Sequence, residues 1–196
     1  MVPHDGTNRS NLTFPRKFNG LSSESLTNRL KSIKLIIFDV DGVLTDGKII
    51  FAGNDIEIKS FDVKDGHGIR LAMRSGLEIA LVTGRTSDVV TRRALDLNIV
   101  RLFQGVWDKK PVMEQLVKDL NLEYNEIAVA GDDIVDIPML RLAGLAVTTP
   151  EAPLEVRKEA HYVTVHSGGR GAARELIEMV LKAQNKWDML TARYYQ

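Results

Sequence analysis

The chain has 196 residues, 44% of them apolar and 27% charged, the balance of a packed soluble domain with no room for a second large one. Lysine plus arginine equals aspartate plus glutamate at 26 each, so no global field draws the protein to nucleic acid or to an acidic membrane surface. Cysteine is absent, which excludes disulfides, thiolate catalysis and thiolate metal ligation, and leaves oxygen or imidazole donors for any metal.

Residues 1–20 combine Pro3, Gly6, Pro15 and Gly20 with several asparagines and show no periodicity, so they read as a flexible leader. They lack the apolar core of a signal peptide, and no apolar run nears the roughly 20 residues that span a bilayer. A cytoplasmic location is expected. One domain is expected over residues 21–184, with a tail at 185–196 whose Trp187, Met189, Leu190, Tyr194 and Tyr195 suggest burial, as at a subunit contact.

Short β-rich runs predict strands over Lys34–Val40, Glu78–Thr83, Val100–Phe103, Glu126–Gly131 and Leu145–Thr148. Amphipathic spacing predicts helices over Gly66–Ser75, Thr86–Leu97, Lys110–Leu120, Val135–Leu142, Pro150–Glu159 and Arg170–Lys186. The alternation is that of an α/β fold, a Rossmann-like parallel sheet with helices on both faces. Leu35–Phe38 and Ile79–Val82 are continuously apolar, as strands covered on both faces are. One segment breaks the pattern: residues 47–63 place Ile49-Ile50-Phe51 and Ile56, Ile58, Phe61 around Gly53-Asn54-Asp55, a β-hairpin projecting straight after the first strand.

In an open α/β sheet, ligands bind beyond the carboxyl ends of the strands. Polar residues stand there on four predicted strands: Asp39 and Asp41, Thr83-Gly84-Arg85, Lys109, and Asp132-Asp133. Alternate spacing lets Asp39 and Asp41 face one site, and Asp132 with Asp133 completes a carboxylate cluster suited to Mg²⁺, a hard cation that takes oxygen ligands. Phosphoryl transfer needs an in-line nucleophile, neutralisation of the equatorial oxygens and a proton for the leaving group. Asp39 is the candidate nucleophile, Asp41 the acid and base, and Thr83, the following backbone N–H groups and Lys109 the oxyanion donors, with Lys110 as the spare cation. The metal set expected from this reading is Asp39, Asp41 and Asp132, supported by Asp133; the acids at 132 and 133 are equally suited to capping the helix that follows, with Asp136 in its first turn.

Asp39-Val40-Asp41-Gly42-Val43-Leu44-Thr45-Asp46, Leu81-Val82-Thr83-Gly84-Arg85, Lys109 and Gly131-Asp132-Asp133-Ile134-Val135-Asp136 resemble, in order, the four motifs of the haloacid dehalogenase superfamily. Asp65-Gly66-His67-Gly68-Ile69-Arg70 and Gly168-Gly169-Arg170-Gly171-Ala172-Ala173-Arg174-Glu175 resemble its capless branch of 3-deoxy-D-manno-octulosonate 8-phosphate phosphatases and their nonulosonate 9-phosphate relatives. The resemblance implies magnesium-dependent hydrolysis of a phosphorylated sugar acid in lipopolysaccharide precursor synthesis, through an aspartyl-phosphate on Asp39. It also implies a projecting β-hairpin in place of a large cap, and a homotetramer in which a neighbour, through the hairpin, helps close each active site. Arg85 stands where the octulosonate branch is similar in carrying arginine and where some nonulosonate relatives carry glutamate.

Substrate contacts are expected from Thr83, Gly84, Arg85, Arg93, His67, Arg70 and Arg170, with the two guanidinium groups at 85 and 93 matched to a sugar carboxylate. His67 and His161 are each more often structural histidines than catalytic ones. The loop at Gly168–Gly171 is either a plain turn or an anion site at a helix N-terminus. Two rivals of another class remain: a phospho-accepting receiver domain, in which the acidic pair precedes the phosphorylated strand, and a non-catalytic oligomerisation domain.

Overall fold

A computed structural model describes residues 22–53 and 56–196; the leader expected at 1–20 lies outside the described residues. Six parallel strands form one sheet: β1 (Leu35–Phe38), β4 (Glu78–Val82), β5 (Arg101–Phe103), β6 (Ile127–Ala130), β7 (Leu145–Thr148) and β8 (Tyr162–Val163), in the order β5-β4-β1-β6-β7-β8. The chain runs outward from β1 through β4 to β5, then returns to β6 on the other side of β1 and continues outward. The reversal opens a crevice beyond the ends of β1 and β6, where such sheets bind ligands.

Side-chain alternation splits β1 between two cores. Ile36 and Phe38 join Leu26, Ile69, Leu71, Leu176 and Val180, whereas Leu35 and Ile37 join Met113, Leu116, Met139 and Val156. Helices α1 (Ser23–Ser32), α2 (Val63–Arg74), α3 (Asp88–Leu97) and α7 (Ala172–Ala183) supply the first layer, and α4 (Lys110–Leu120), α5 (Ile137–Leu142) and α6 (Leu154–Glu159) the second. All five expected strands are present. The sheet gains β8, whose two residues are too short for periodicity to reveal, and α1, whose buried Leu26 and Leu30 sit four apart behind the Ser22 cap. α2 begins three residues before its expected start because Asp62 caps it by accepting the Lys64 N–H at 2.6 Å.

The expected hairpin is β2 (Ile50–Ala52) paired antiparallel with β3 (Ile56–Ile58), a sheet separate from the main one. Ile50, Phe51, Ile56 and Ile58 are all exposed, Phe51 at 68%. Beyond α7 the chain turns through Asn185, at a left-handed φ of 56°, into α8 (Trp187–Thr191). Arg174 lies over the Trp187 ring at 5.0 Å and the Tyr194 hydroxyl is 3.0 Å from His67 Nε2, so this tail folds back on α2 and α7 of its own chain.

The N-terminus of α7 resolves the two readings of the glycine-rich loop before it. Asp65, buried on α2, accepts the N–H of Gly171 at 3.2 Å and of Arg174 at 2.7 Å. The anion held there is the protein's own carboxylate, and burial raises the Asp65 pKa against those two hydrogen bonds. Asp65→Ala leaves both donors without their partner, so chemical denaturation is expected to report a loss of about 1–2 kcal/mol with an unchanged m-value.

Candidate active site

Asp39 is the first residue past β1, 6% exposed, its N–H bonded to the Ala130 carbonyl at 2.9 Å. The backbone then leaves the strand: Leu44 and Thr45 both donate to the Val40 carbonyl, and Gly42 turns at a φ of 95°. That region disfavours any residue with a Cβ, and a Cβ at Gly42 would stand 2.0 Å from Asp132 Oδ2. Gly168 is equally constrained, since its Cβ would lie 1.9 Å from the Gly42 carbonyl oxygen. The glycine-rich loop therefore seats directly on the loop carrying Asp41.

Lys109, one residue before α4, is 1% exposed and donates from Nζ to Asp39 Oδ1 at 2.6 Å and Asp136 Oδ1 at 2.5 Å. The second oxygen of Asp136 accepts the N–H groups of Asp132 and Asp133, which fixes the turn that follows β6. Carboxylate oxygens of Asp39, Asp132 and Asp136 lie within 4.8 Å of one another. The third carboxylate of this cluster is thus Asp136, where alternate spacing pointed to Asp41. The reason is local: extended backbone ends at Phe38, so Asp41 does not stay in register with Asp39. It turns toward β3, and Lys59 Nζ reaches its Oδ1 at 2.5 Å. Asp133 caps the turn, accepting the Ile134 N–H at 2.7 Å.

Electrostatically the cluster is overcharged. Burial, then the Asp136 carboxylate, pushes the Asp39 pKa up to about 7 against the opposing pull of Lys109. Burial, then Asp39, Asp136 and Asp133, pushes Asp132 up to about 8. Lys109 is held above its ordinary value, because Asp39 and Asp136 outweigh the effect of its burial. Asp132 Oδ1 is buried with no hydrogen-bond partner. A buried, unpartnered carboxylate oxygen beside two more acids and one ammonium fits a hard divalent cation.

On the β4 side Thr83 is 2% exposed, with its backbone tied to Phe103 and Val106. Trp107, 71% exposed at the rim, lies over Gly84. Arg85 Nη2 is 3.5 Å from Glu57 Oε1 while its buried Nε has no partner. Glu57 on β3 also accepts from Ser87 Oγ, and Lys59 Nζ stands 3.5 Å away.

Other residues expected at the substrate are engaged elsewhere in this chain. Arg93 donates to the Asp62 carbonyl and lies over Phe61, Arg70 donates to the Asp96 carbonyl at the end of α3, and His67 meets Tyr194 and Arg174. Arg170 is exposed, with Asp46 within electrostatic reach. His161 accepts the Ala146 N–H through Nδ1, a structural histidine. Lys59 and Glu57 were missed in the sequence, although two charges at alternate positions of an otherwise apolar strand are a legible signal of one polar face.

A haloacid dehalogenase-like hydrolase model matches residues 94–176. The 3-deoxy-D-manno-octulosonate 8-phosphate phosphatase of Salmonella typhi is 40% identical over 169 residues, covering 86% of this chain and 90% of its own. The chain belongs to this phosphatase family. The Yersinia pestis enzyme of the same name is 38% identical over 172 residues, covering 88% and 92%. Among solved structures, the octulosonate phosphatase of Moraxella catarrhalis, crystallised with a magnesium ion, a phosphate ion and a KDO molecule, superposes with a TM-score of 0.86 at 39% identity, covering 88% of this chain and 99% of that one. A family phosphatase with every motif filled removes the receiver and scaffold rivals.

The raised carboxyls carry a sign. An acid whose pKa is higher folded than unfolded stabilises the fold fully below its unfolded value and loses that stabilisation as pH rises through the folded value. For Asp39 and Asp132 the window runs from about pH 4 to about pH 8. The melting temperature of chelator-treated protein is expected to fall across that window, and added Mg²⁺ to raise it more at pH 8 than at pH 5. Equal Mg²⁺ shifts at both pH values would remove these acids from the metal site.

Proposed function

We propose that the chain hydrolyses 3-deoxy-D-manno-octulosonate 8-phosphate to the free sugar acid and inorganic phosphate, with Mg²⁺ as cofactor and Asp39 as nucleophile. The observation that carries this is the buried Asp39–Lys109–Asp136 bridge beside the unpartnered oxygen of Asp132, at the sheet's reversal point. Lys109 holds Asp39 Oδ1 and leaves the other oxygen to attack phosphorus. The P–O bond to the sugar breaks as the bond to Asp39 forms, and Asp41 delivers a proton to the departing alkoxide. Asp41 then takes a proton from the water that attacks phosphorus, which returns Asp39 and releases phosphate.

Thr83 and the Gly84 N–H are the donors this reading assigns to the phosphoryl oxygens as they gain charge. Asp39 and Asp132 would hold the magnesium ion, with Asp136 bracing them from behind. When bound there, Mg²⁺ supplies positive charge against the transferring phosphoryl group. Arg85, 41% exposed in its side chain and held to Glu57 only at 3.5 Å, is the candidate for the sugar carboxylate.

The exposed apolar face of the hairpin supports a homotetramer in which β2 and β3 meet a neighbouring copy and help close its site. Among the described residues no helix is long and apolar enough to cross a membrane; the cytoplasm is the compartment we propose, in keeping with a chain that carries no cysteine. Phosphate release from a panel of sugar phosphates with Mg²⁺ tests the substrate. Preference for the eight-carbon acid phosphate is expected; preference for a nine-carbon acid phosphate would retain the mechanism and overturn the role given to Arg85.

A further inference from the structure

We infer that Lys59 is a positioning residue that aims Asp41 at the leaving oxygen, and that the hairpin is therefore part of the proton-transfer machinery. Its side chain is fully buried, on the strand exit of an otherwise solvent-facing hairpin, and its Nζ meets Asp41 Oδ1 at 2.5 Å and Glu57 Oε1 at 3.5 Å. Burying an ammonium away from water is costly unless paired, so the position is maintained by these two carboxylates. Alternation on β3 turns Ile56 and Ile58 outward and Glu57 inward, with Lys59 next in the same phase.

Asp41 sits on a loop rather than on a strand, and Thr45 Oγ1 also donates to Asp41 Oδ1, at 3.4 Å. Lys59 therefore sets which oxygen is held and which is free. With Oδ1 held, Oδ2 carries the proton to the alkoxide as the P–O bond breaks, and accepts one from water in the second step. Glu57 extends the same brace to Arg85 and Ser87 on the β4 side, so one hairpin strand ties the acid to both walls of the site.

This inference rests on Asp41 being the acid of the proposed reaction, and the experiment separates the two. Lys59→Met, Lys59→Arg and Asp41→Asn are assayed with Mg²⁺ in single turnover with enzyme in excess, reading release of the leaving group in the first step, because the second step uses Asp41 as base whatever group has left. The substrates are 3-deoxy-D-manno-octulosonate 8-phosphate, whose alkoxide needs a proton, and p-nitrophenyl phosphate, whose phenolate does not. Expected for Lys59→Met is a loss in the first-step rate of about 10- to 100-fold on the sugar phosphate and under about 3-fold on the aryl ester, with the half-saturating concentration unchanged. Lys59→Arg recovers part of the sugar-phosphate rate. If Lys59→Met does not fold, Lys59→Arg carries the test, because its displaced charge should give the same leaving-group split in smaller degree. An equal first-step loss on both substrates, or a raised half-saturating concentration at a constant first-step rate, in a Lys59 variant while Asp41→Asn shows the split overturns the positioning role alone. Equal first-step losses on both substrates in Asp41→Asn overturn the acid assignment and this inference with it.

Discussion

Asp39→Asn is expected to lower Mg²⁺-dependent phosphate release by on the order of 10⁴-fold or more while leaving the fold intact. The amide matches the carboxylate in shape but is no nucleophile toward phosphorus, and no neighbour can replace it. Asp136 is saturated by Lys109 and two backbone N–H groups, Asp132 lies across the cluster, and Asp41 is held by Lys59. Folding is expected to survive because the substitution removes one negative charge from a group where burial and Asp136 already disfavour it. Lys109 keeps its bond to Asp136. In the absence of metal the variant should melt at the wild-type temperature or above it at pH 8. Residual turnover above a few per cent in a protein of confirmed fold would place the nucleophile elsewhere.

Lys109→Met carries the largest expected cost in stability. The ammonium is 1% exposed and lies between two carboxylates that are themselves almost wholly buried, 8% exposed for Asp39 and 0% for Asp136 in their side chains. Removing it leaves uncompensated charge inside the fold, a change worth about 3–5 kcal/mol. For a chain of this size that corresponds to roughly 6–20 °C in melting temperature. The deficit should depend on pH, smaller under acid conditions where Asp39, its pKa raised by burial and Asp136, is protonated.

Adding Asp136→Asn to Lys109→Met removes one of the stranded charges, while its amide oxygen still accepts the N–H groups of Asp132 and Asp133. The double variant is expected to be more stable than the single one, a strongly non-additive pair. Activity should not follow, because Asp39 Oδ1 has lost the donor that orients it, and a loss of about 10²–10³-fold is expected in both. Additive destabilisation in a double-variant cycle would mean that the bridge is not the unit the geometry describes.

The five main strands, most helices and the acids and lysine at the strand ends were legible because their signals are local. An apolar run such as Leu35–Phe38 has one way to be buried on both faces, and polar residues at four successive strand ends have one sheet edge to share. Tertiary structure alone decided which of those acids belong together. Alternate spacing grouped Asp41 with Asp39, but spacing says nothing about where a strand stops, and the turn after Phe38 delivered Asp41 to Lys59 and left Asp136 beside Asp39. The same holds for Asp65, whose partners lie 106 and 109 residues away on α7, and for Lys59, whose charge reads as a solvated surface residue until the hairpin folds it inward. Sequence patterns report what each element must bury; the pairing of buried charges depends on how those elements meet, which involves distances between residues far apart in the chain.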